Sequence, residues 1–132
     1  MSLSAEKISI LVVDDHPGVR EGIRAVINSQ SDMVVVGEAS NGLEAIQEFK
    51  RLLPNVTLAD ANLPVICGIE AVALIRAEFP RARFIVISAL NDKDRISQAF
   101  AAGARAFLHK EKLRRELLPA IRAVHNGQQY VP

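Results

Sequence analysis

The sequence predicts an α/β fold, a parallel β-sheet with helices on both faces, and three observations carry that prediction. Short β-branched apolar runs alternate five times with longer stretches whose apolar residues recur at helical spacing. Each run is nearly continuous in apolar residues, as strands buried on both faces are. The chain has 132 residues, 49% hydrophobic and 23% charged, which suits one globular unit with a substantial core.

The first strand is expected over Ile8–Val13 (ISILVV), followed by a helix with the stripe Val19, Ile23, Val26 and Ile27. Met33–Glu38 (MVVVGE) reads as the second strand, and Leu43, Ile46 and Phe49 mark its helix. The third strand is Asn55–Ala59 (NVTLA), followed by the stripe Ile69, Val72, Ala73 and Phe79. Arg83–Ile87 (RFIVI) is the fourth, with a helix from Asp92 to Ala102 that Gly103 closes. The fifth is Ala104–His109 (ARAFLH), and its helix runs from Leu113 to Asn126 before Gly127. Pro119 removes a backbone donor, so this last helix is expected to kink near Arg115 or to begin only near Leu117. Residues 1–7 read as a leader, 8–127 as the domain and 128–132 as the start of a linker.

Composition narrows the function. Lys plus Arg number 16 against 15 Asp plus Glu, so a net charge of +1 provides no field to draw the chain to DNA or anionic lipid. The lone Cys67 cannot form an intrachain disulfide, which fits a reducing compartment, and a cytoplasmic location is expected. No apolar run approaches the roughly 18 residues that span a bilayer, and MSLSAEKISI lacks the h-region and cleavage site of a signal peptide. No membrane partner is expected.

The polar residues that close the strands are the informative ones. Asp14 and Asp15 follow the first strand, Asp60 the third and Ser88 the fourth, while the fifth runs through His109 into Lys110. In open α/β sheets ligands bind beyond the carboxyl ends of the strands, near a topological switch point. With strand order 2-1-3-4-5, these ends converge on one cleft holding three carboxylates, a hydroxyl and an amine. Adjacent aspartates at the end of an apolar strand repel one another where burial makes repulsion costlier, and a divalent cation offsets that cost. Oxygen-only ligands favour Mg²⁺ over zinc, for which no His and Cys cluster is found. An Asp pair alone is usually a solvated turn or helix cap; the weight lies in the combination of five residues.

The stretches VVDDHPGVREGI, VVVGEASNGLEAI, PNVTLADANLP…G, FIVISA and AAGARAFLHK resemble the receiver domain of two-component response regulators. The likeness spans nearly the whole chain and is to the LuxR/NarL/FixJ-type subfamily, whose output is usually a LuxR-type helix-turn-helix. It implies a flavodoxin-like five-stranded sheet of order 2-1-3-4-5. By that resemblance Asp60 accepts a phosphoryl group from a sensor histidine kinase, and Asp14, Asp15, Asp60 and the Asn62 backbone carbonyl hold Mg²⁺. Ser88 and Lys110 then contact the phosphoryl group, and Ser88 and Phe107 form the switch. Asn62 and Leu90 tune dephosphorylation: Leu90 crowds the approach to phosphorus, whereas Asn62 retains a hydrogen bond for an attacking water. The implied partners are the kinase and a second copy on phosphorylation, with DNA reached only through an output domain absent from this chain.

A carboxylate nucleophile that yields an acyl phosphate, with Mg²⁺ and an ammonium neutralising the transferring oxygens, is sound chemistry for these residues. The chain is expected to be no enzyme beyond its own phosphorylation and slow dephosphorylation. One rival reading is a degenerate receiver that docks independently of phosphorylation, which the complete set of five residues argues against. Another is a flavin or nucleotide enzyme, which the missing glycine-rich loop after the first strand argues against. Asn55 stands where many such receivers carry Asp, and Ala59 and Ala61 are smaller than usual beside Asp60. Cys67 is expected as a small semi-buried loop residue, and Arg114, Arg115 and Arg122 as a solvated helix face. His16 and His109 are given no role.

Overall fold

All five expected strands form in the computed structural model, which describes residues 6–90 and 92–130. Residues 1–5 of the expected leader and 131–132 of the expected linker lie outside the described residues. The chain runs β1 (Ile8–Val13), α1 (Pro17–Asn28), β2 (Met33–Ala39), α2 (Gly42–Leu52), β3 (Val56–Asp60) and α3 (Gly68–Glu78). It continues through β4 (Phe84–Ser88), α4 (Lys93–Ala102), β5 (Ala106–His109), a 3₁₀ turn at Lys110–Lys112 and α5 (Leu113–His125). The strands pair in parallel in the order β2-β1-β3-β4-β5, so the winding reverses between β1 and β3.

Alternate residues of each strand serve opposite faces. Ile8, Ile10 and Val12 of β1 join one core cluster with Ile23 and Ile27 of α1 and Leu117, Ala120, Ile121 and Val124 of α5. Leu11 and Val13 join the other, with Phe49 of α2, Val72 and Ile75 of α3 and Ala99 of α4. Burying a side chain such as Ile10 or Leu11 contributes roughly 1.5–3 kcal/mol, so both faces hold the sheet rigid beneath the site.

The strand bounds depart from expectation in one direction. β3 and β4 begin and end one residue later than predicted, so Asp60 and Ser88 are the last residues of their strands instead of the first beyond them. Asn55 stays outside β3 because it caps the strand entry: its Oδ1 accepts from Ser9 N–H at 2.8 Å and Ser9 Oγ at 3.0 Å, and its N–H donates to Ser9 Oγ at 2.9 Å. An acceptor oxygen is all that position uses, so Asn serves.

β2 is not the buried strand its composition suggested. It lies at the sheet edge, where only Met33 and Ala39 are buried, and the register slips at Val36, leaving that residue 38% exposed. β5 begins at Ala106, two residues later than expected. Tyr130, predicted in the linker, instead pairs beside β5 through a bridge to Ala106.

The predicted late start of the last helix does not occur. α5 is continuous from Leu113 and contains Pro119. Pro119 and Arg115 are both exposed, so the carbonyl that loses its donor is on the solvent side, while the opposite face is buried. Among the described residues no helix is long and apolar enough to cross a membrane.

Candidate functional site

Register assembles the site. Val13 pairs with Ala59, so Asp14 emerges beside Asp60; Asp60 pairs with Ile87 and Ser88 with His109, so Ser88 and Lys110 follow on the same edge. The sequence-predicted residues Asp14, Asp15, Asp60, Ser88 and Lys110 are thus gathered at the carboxyl ends of four adjacent strands.

Asp14 and Asp60 are buried, their side chains each only 3% exposed. The Lys110 ammonium lies 2.8 Å from Asp60 Oδ2 and 3.4 Å from Asp14 Oδ2. The other Asp60 oxygen, Oδ1, accepts from Asn62 N–H at 2.9 Å. Asp14 Oδ1 accepts from His16 N–H at 2.8 Å, and the Arg20 guanidinium holds the Asp14 backbone carbonyl at 2.6 Å. Behind them, α3 rests directly on the Asp60 backbone: a Cβ at Gly68 would fall on the Asp60 carbonyl oxygen. Each carboxylate is therefore fixed from two sides.

Two carboxylates share one ammonium. Burial pushes the Asp60 carboxyl above its ordinary value and the neighbouring Asp14 adds to the rise, against the opposing bonds from Lys110 and Asn62. Lys110 is held above the ordinary amine range, because its attraction to Asp60 and Asp14 together outweighs its burial. Asp14, Asp15, His16 and Asp60 each offer a ligand atom, all within 4.8 Å of one another. Carboxylate oxygens dominate that donor set, which fits a hard divalent cation.

Ser88 is fully buried and its Oγ accepts from Leu90 N–H at 3.0 Å. Val86 and Phe107 pair across β4 and β5 and both face the second core cluster. Ser88, two residues beyond Val86, lies on that same face of the sheet. Leu90 is half-exposed beyond the end of β4.

Sequence reasoning missed or misjudged five residues. His16, given no role, caps α1 and brings Nδ1 to 3.0 Å from Asp14 Oδ1 and 3.1 Å from Asp15 Oδ1; the only signal was its place directly after the aspartates. Asn62 does not offer its oxygen freely to water, because Arg95 Nη1 of α4 donates to Oδ1 at 2.8 Å. Arg122 is not simply solvated: it bonds both Asp32 oxygens, at 2.9 and 3.1 Å, and Gln30 at 3.0 Å. Arg114 and Arg115 are exposed as predicted. Cys67 is exposed instead of semi-buried, because it is the N-cap of α3, outside the packed turn. His109 has a local task, its Nδ1 accepting from Glu111 N–H at 3.1 Å.

Residues 10–122 match the response regulator receiver domain. The chain belongs to the response regulator receiver family. It is 37% identical over 126 residues to the uncharacterized transcriptional regulatory protein YxjL of Bacillus subtilis, covering 96% of this chain and 58% of that protein. It is 34% identical over 123 residues to the nitrate/nitrite response regulator protein NarL of Escherichia coli K12, covering 93% of this chain and 57% of that protein. Among solved structures, a LuxR-family two-component response regulator from Aurantimonas sp. SI85-9A1 superposes with a TM-score of 0.91 at 33% identity, covering 96% of this chain and 90% of that one. The response regulator domain of Thermotoga maritima CheB does so at 0.86 and 35%, covering 92% and 98%. The receiver chain thus spans somewhat under three fifths of the two curated relatives. Receiver domains are signalling modules of two-component systems that bind Mg²⁺ at an acidic pocket, and the flavodoxin-like order of this sheet is theirs.

Proposed function

We propose that this receiver is a phosphorylation-dependent switch in which Asp60 accepts a phosphoryl group from a sensor histidine kinase. The observation that carries the reading is the state of the Asp60 carboxylate. It is buried at a strand end, with an ammonium on one oxygen and a backbone N–H on the other. A carboxylate oxygen of Asp60 attacks phosphorus and forms an acyl phosphate, while the bond to the donor histidine breaks. Lys110 can then follow the developing negative charge from the carboxylate onto the phosphoryl oxygens.

Asp14, Asp15, Asp60 and the backbone carbonyl of Asn62 are the residues that hold Mg²⁺ in this reading. When bound, the ion neutralises phosphoryl charge and offsets the repulsion among the carboxylates. Ser88 needs only a rotation about its side chain to leave the Leu90 N–H and donate to a phosphoryl oxygen. The space it leaves lies on the face that Phe107 occupies, so a charge change in the pocket becomes a packing change near α4. Asn62 and Leu90 stand at the mouth, where they govern water's approach.

The rest of the reading follows from the family. Residues 8–127 act as the receiver between a leader and a linker, in the cytoplasm, and phosphorylation favours a second copy. Transcription is regulated through a DNA-binding output domain outside this chain. Intact-mass analysis after acetyl phosphate treatment tests the proposal: one phosphoryl adduct should form with Mg²⁺ and be lost to hydroxylamine. No adduct under any Mg²⁺ concentration would favour a docking module that works without phosphorylation.

A further inference from the structure

Two hydrogen bonds link Asp60 to the first turn of α4. Asn62 N–H donates to Asp60 Oδ1 at 2.9 Å, and the Asn62 side-chain oxygen accepts from Arg95 Nη1 at 2.8 Å. Arg95 is itself pinned, since its backbone N–H donates to the Asp92 carboxylate at 2.7 Å in the N-terminal cap of α4. A guanidinium only donates, so the Asn62 amide turns its oxygen toward Arg95, and among the described residues its NH₂ has no hydrogen-bond partner.

That orientation matters for hydrolysis of an acyl phosphate. Water attacks phosphorus through a lone pair, the P–O bond to Asp60 breaks, and Asp60 departs as a carboxylate as inorganic phosphate forms. The water's proton passes to solvent, and attack is helped by an acceptor that takes up its O–H. An NH₂ does the reverse, donating to the lone pair that must attack. Asp60 is buried at the pocket floor, so water arrives from the mouth, where Asn62 and Leu90 are exposed. Leu90 neither donates nor accepts.

We infer that Arg95 is a positioning residue that prolongs the acyl phosphate by holding the Asn62 amide with its acceptor turned away from attacking water. The lifetime of the signal is thereby tied to the placement of the first turn of α4. This inference rests on the reading of Asp60 as phosphoacceptor.

The test follows decay of the phosphorylated protein in Mg²⁺ for the parent and for Arg95→Met, Arg95→Lys, Asn62→Ala and the Asn62→Ala, Arg95→Met double variant. Arg95→Met should decay roughly three- to tenfold faster than the parent. Arg95→Lys, which keeps a donor on a long stem, should restore most of the parental lifetime. In the Asn62→Ala background, Arg95→Met should change nothing further. Decay of Arg95→Met at or below the parental rate, or an equal acceleration without Asn62, would overturn the inference while Asp60 still carries phosphate. A parent protein that carries no phosphate on Asp60 would overturn both the inference and the reading beneath it.

Discussion

Lys110 Nζ lies 2.8 Å from Asp60 Oδ2, joining the ends of β5 and β3 across 50 residues of chain. Since Asp14 Oδ2 is also only 3.4 Å away, one ammonium serves two buried carboxylates. A divalent cation and Lys110 therefore act on the same charges, and the two can be separated by substitution.

Asp15→Ala should lower Mg²⁺ affinity about tenfold or more, because it removes a hard oxygen donor at the rim of the cluster. Lys110→Ala should bind Mg²⁺ at least as tightly as the parent, because no ammonium then competes for Asp60 and Asp14, yet it should fail to switch when phosphorylated. Calorimetric titration of both variants with Mg²⁺ measures the contrast. Equal losses of affinity would mean that the two roles are misassigned.

Folding stability should carry the imprint of Asp60. Its carboxyl sits above the ordinary value of 3.8, so between 3.8 and that raised value the folded chain binds more protons than the unfolded one. The contribution of this residue to stability therefore falls as pH rises through that window, and at pH 7 its charge is a net cost in the absence of Mg²⁺. Asp60→Asn should melt roughly 2–5 °C above the parent at pH 7 without Mg²⁺. The advantage should vanish below pH 3.8 and shrink when Mg²⁺ is added. Thermal melts across pH, with and without the ion, check the sign.

The mouth of the pocket makes a prediction about rate. Leu90 is half-exposed, so Leu90→Glu should alter stability by no more than about 0.5 kcal/mol. It adds an acceptor where there was only bulk, and the acyl phosphate should decay several-fold faster as water gains a group to orient it. Decay at the parental rate, with phosphate still on Asp60, would contradict this view of the mouth.

Two glycines separate a packing requirement from helix propensity. A Cβ at Gly68 meets the Asp60 carbonyl and the Ala61 backbone, which cannot easily give way, whereas a Cβ at Gly18 of α1 meets nothing within 4 Å. Gly68→Ala should cost about 3 kcal/mol or more in urea denaturation and impair phosphorylation by displacing Asp60. Gly18→Ala should be stabilising by about 0.5–1 kcal/mol, as Ala is the better helix former.

The parts of this molecule legible in its sequence are those that depend on period and order. The apolar runs gave all five strands, and Asp14, Asp60, Ser88 and Lys110 could be read as strand ends because the period of a strand is short and its register follows from its neighbours. Edges were harder. β2 is expected at the edge with the composition of a buried strand, but a register slip against β1 leaves Val36 to solvent, and composition does not report a bulge. Pro119 read as a break because the rule concerns a lost bond, while its cost depends on which side of α5 faces water. Contacts between distant surface side chains were invisible: Arg95 reaches Asn62 across 33 residues and Arg122 reaches Asp32 across 90, and both depend on how helices settle on the sheet. His16 shows a third kind of omission: its place after the aspartates is plain in the sequence, but the turn of its ring back to 3.0 Å from Asp14 and 3.1 Å from Asp15 is not.

The most direct test of the central claim is intact-mass analysis of Asp60→Asn beside the parent, both treated with acetyl phosphate and Mg²⁺. Of the two buried carboxylates that share Lys110, Asp60 is the nearer, at 2.8 Å against 3.4 Å for Asp14. The parent should gain one phosphoryl group and Asp60→Asn none. An adduct of the same size and Mg²⁺ dependence on Asp60→Asn would contradict the account.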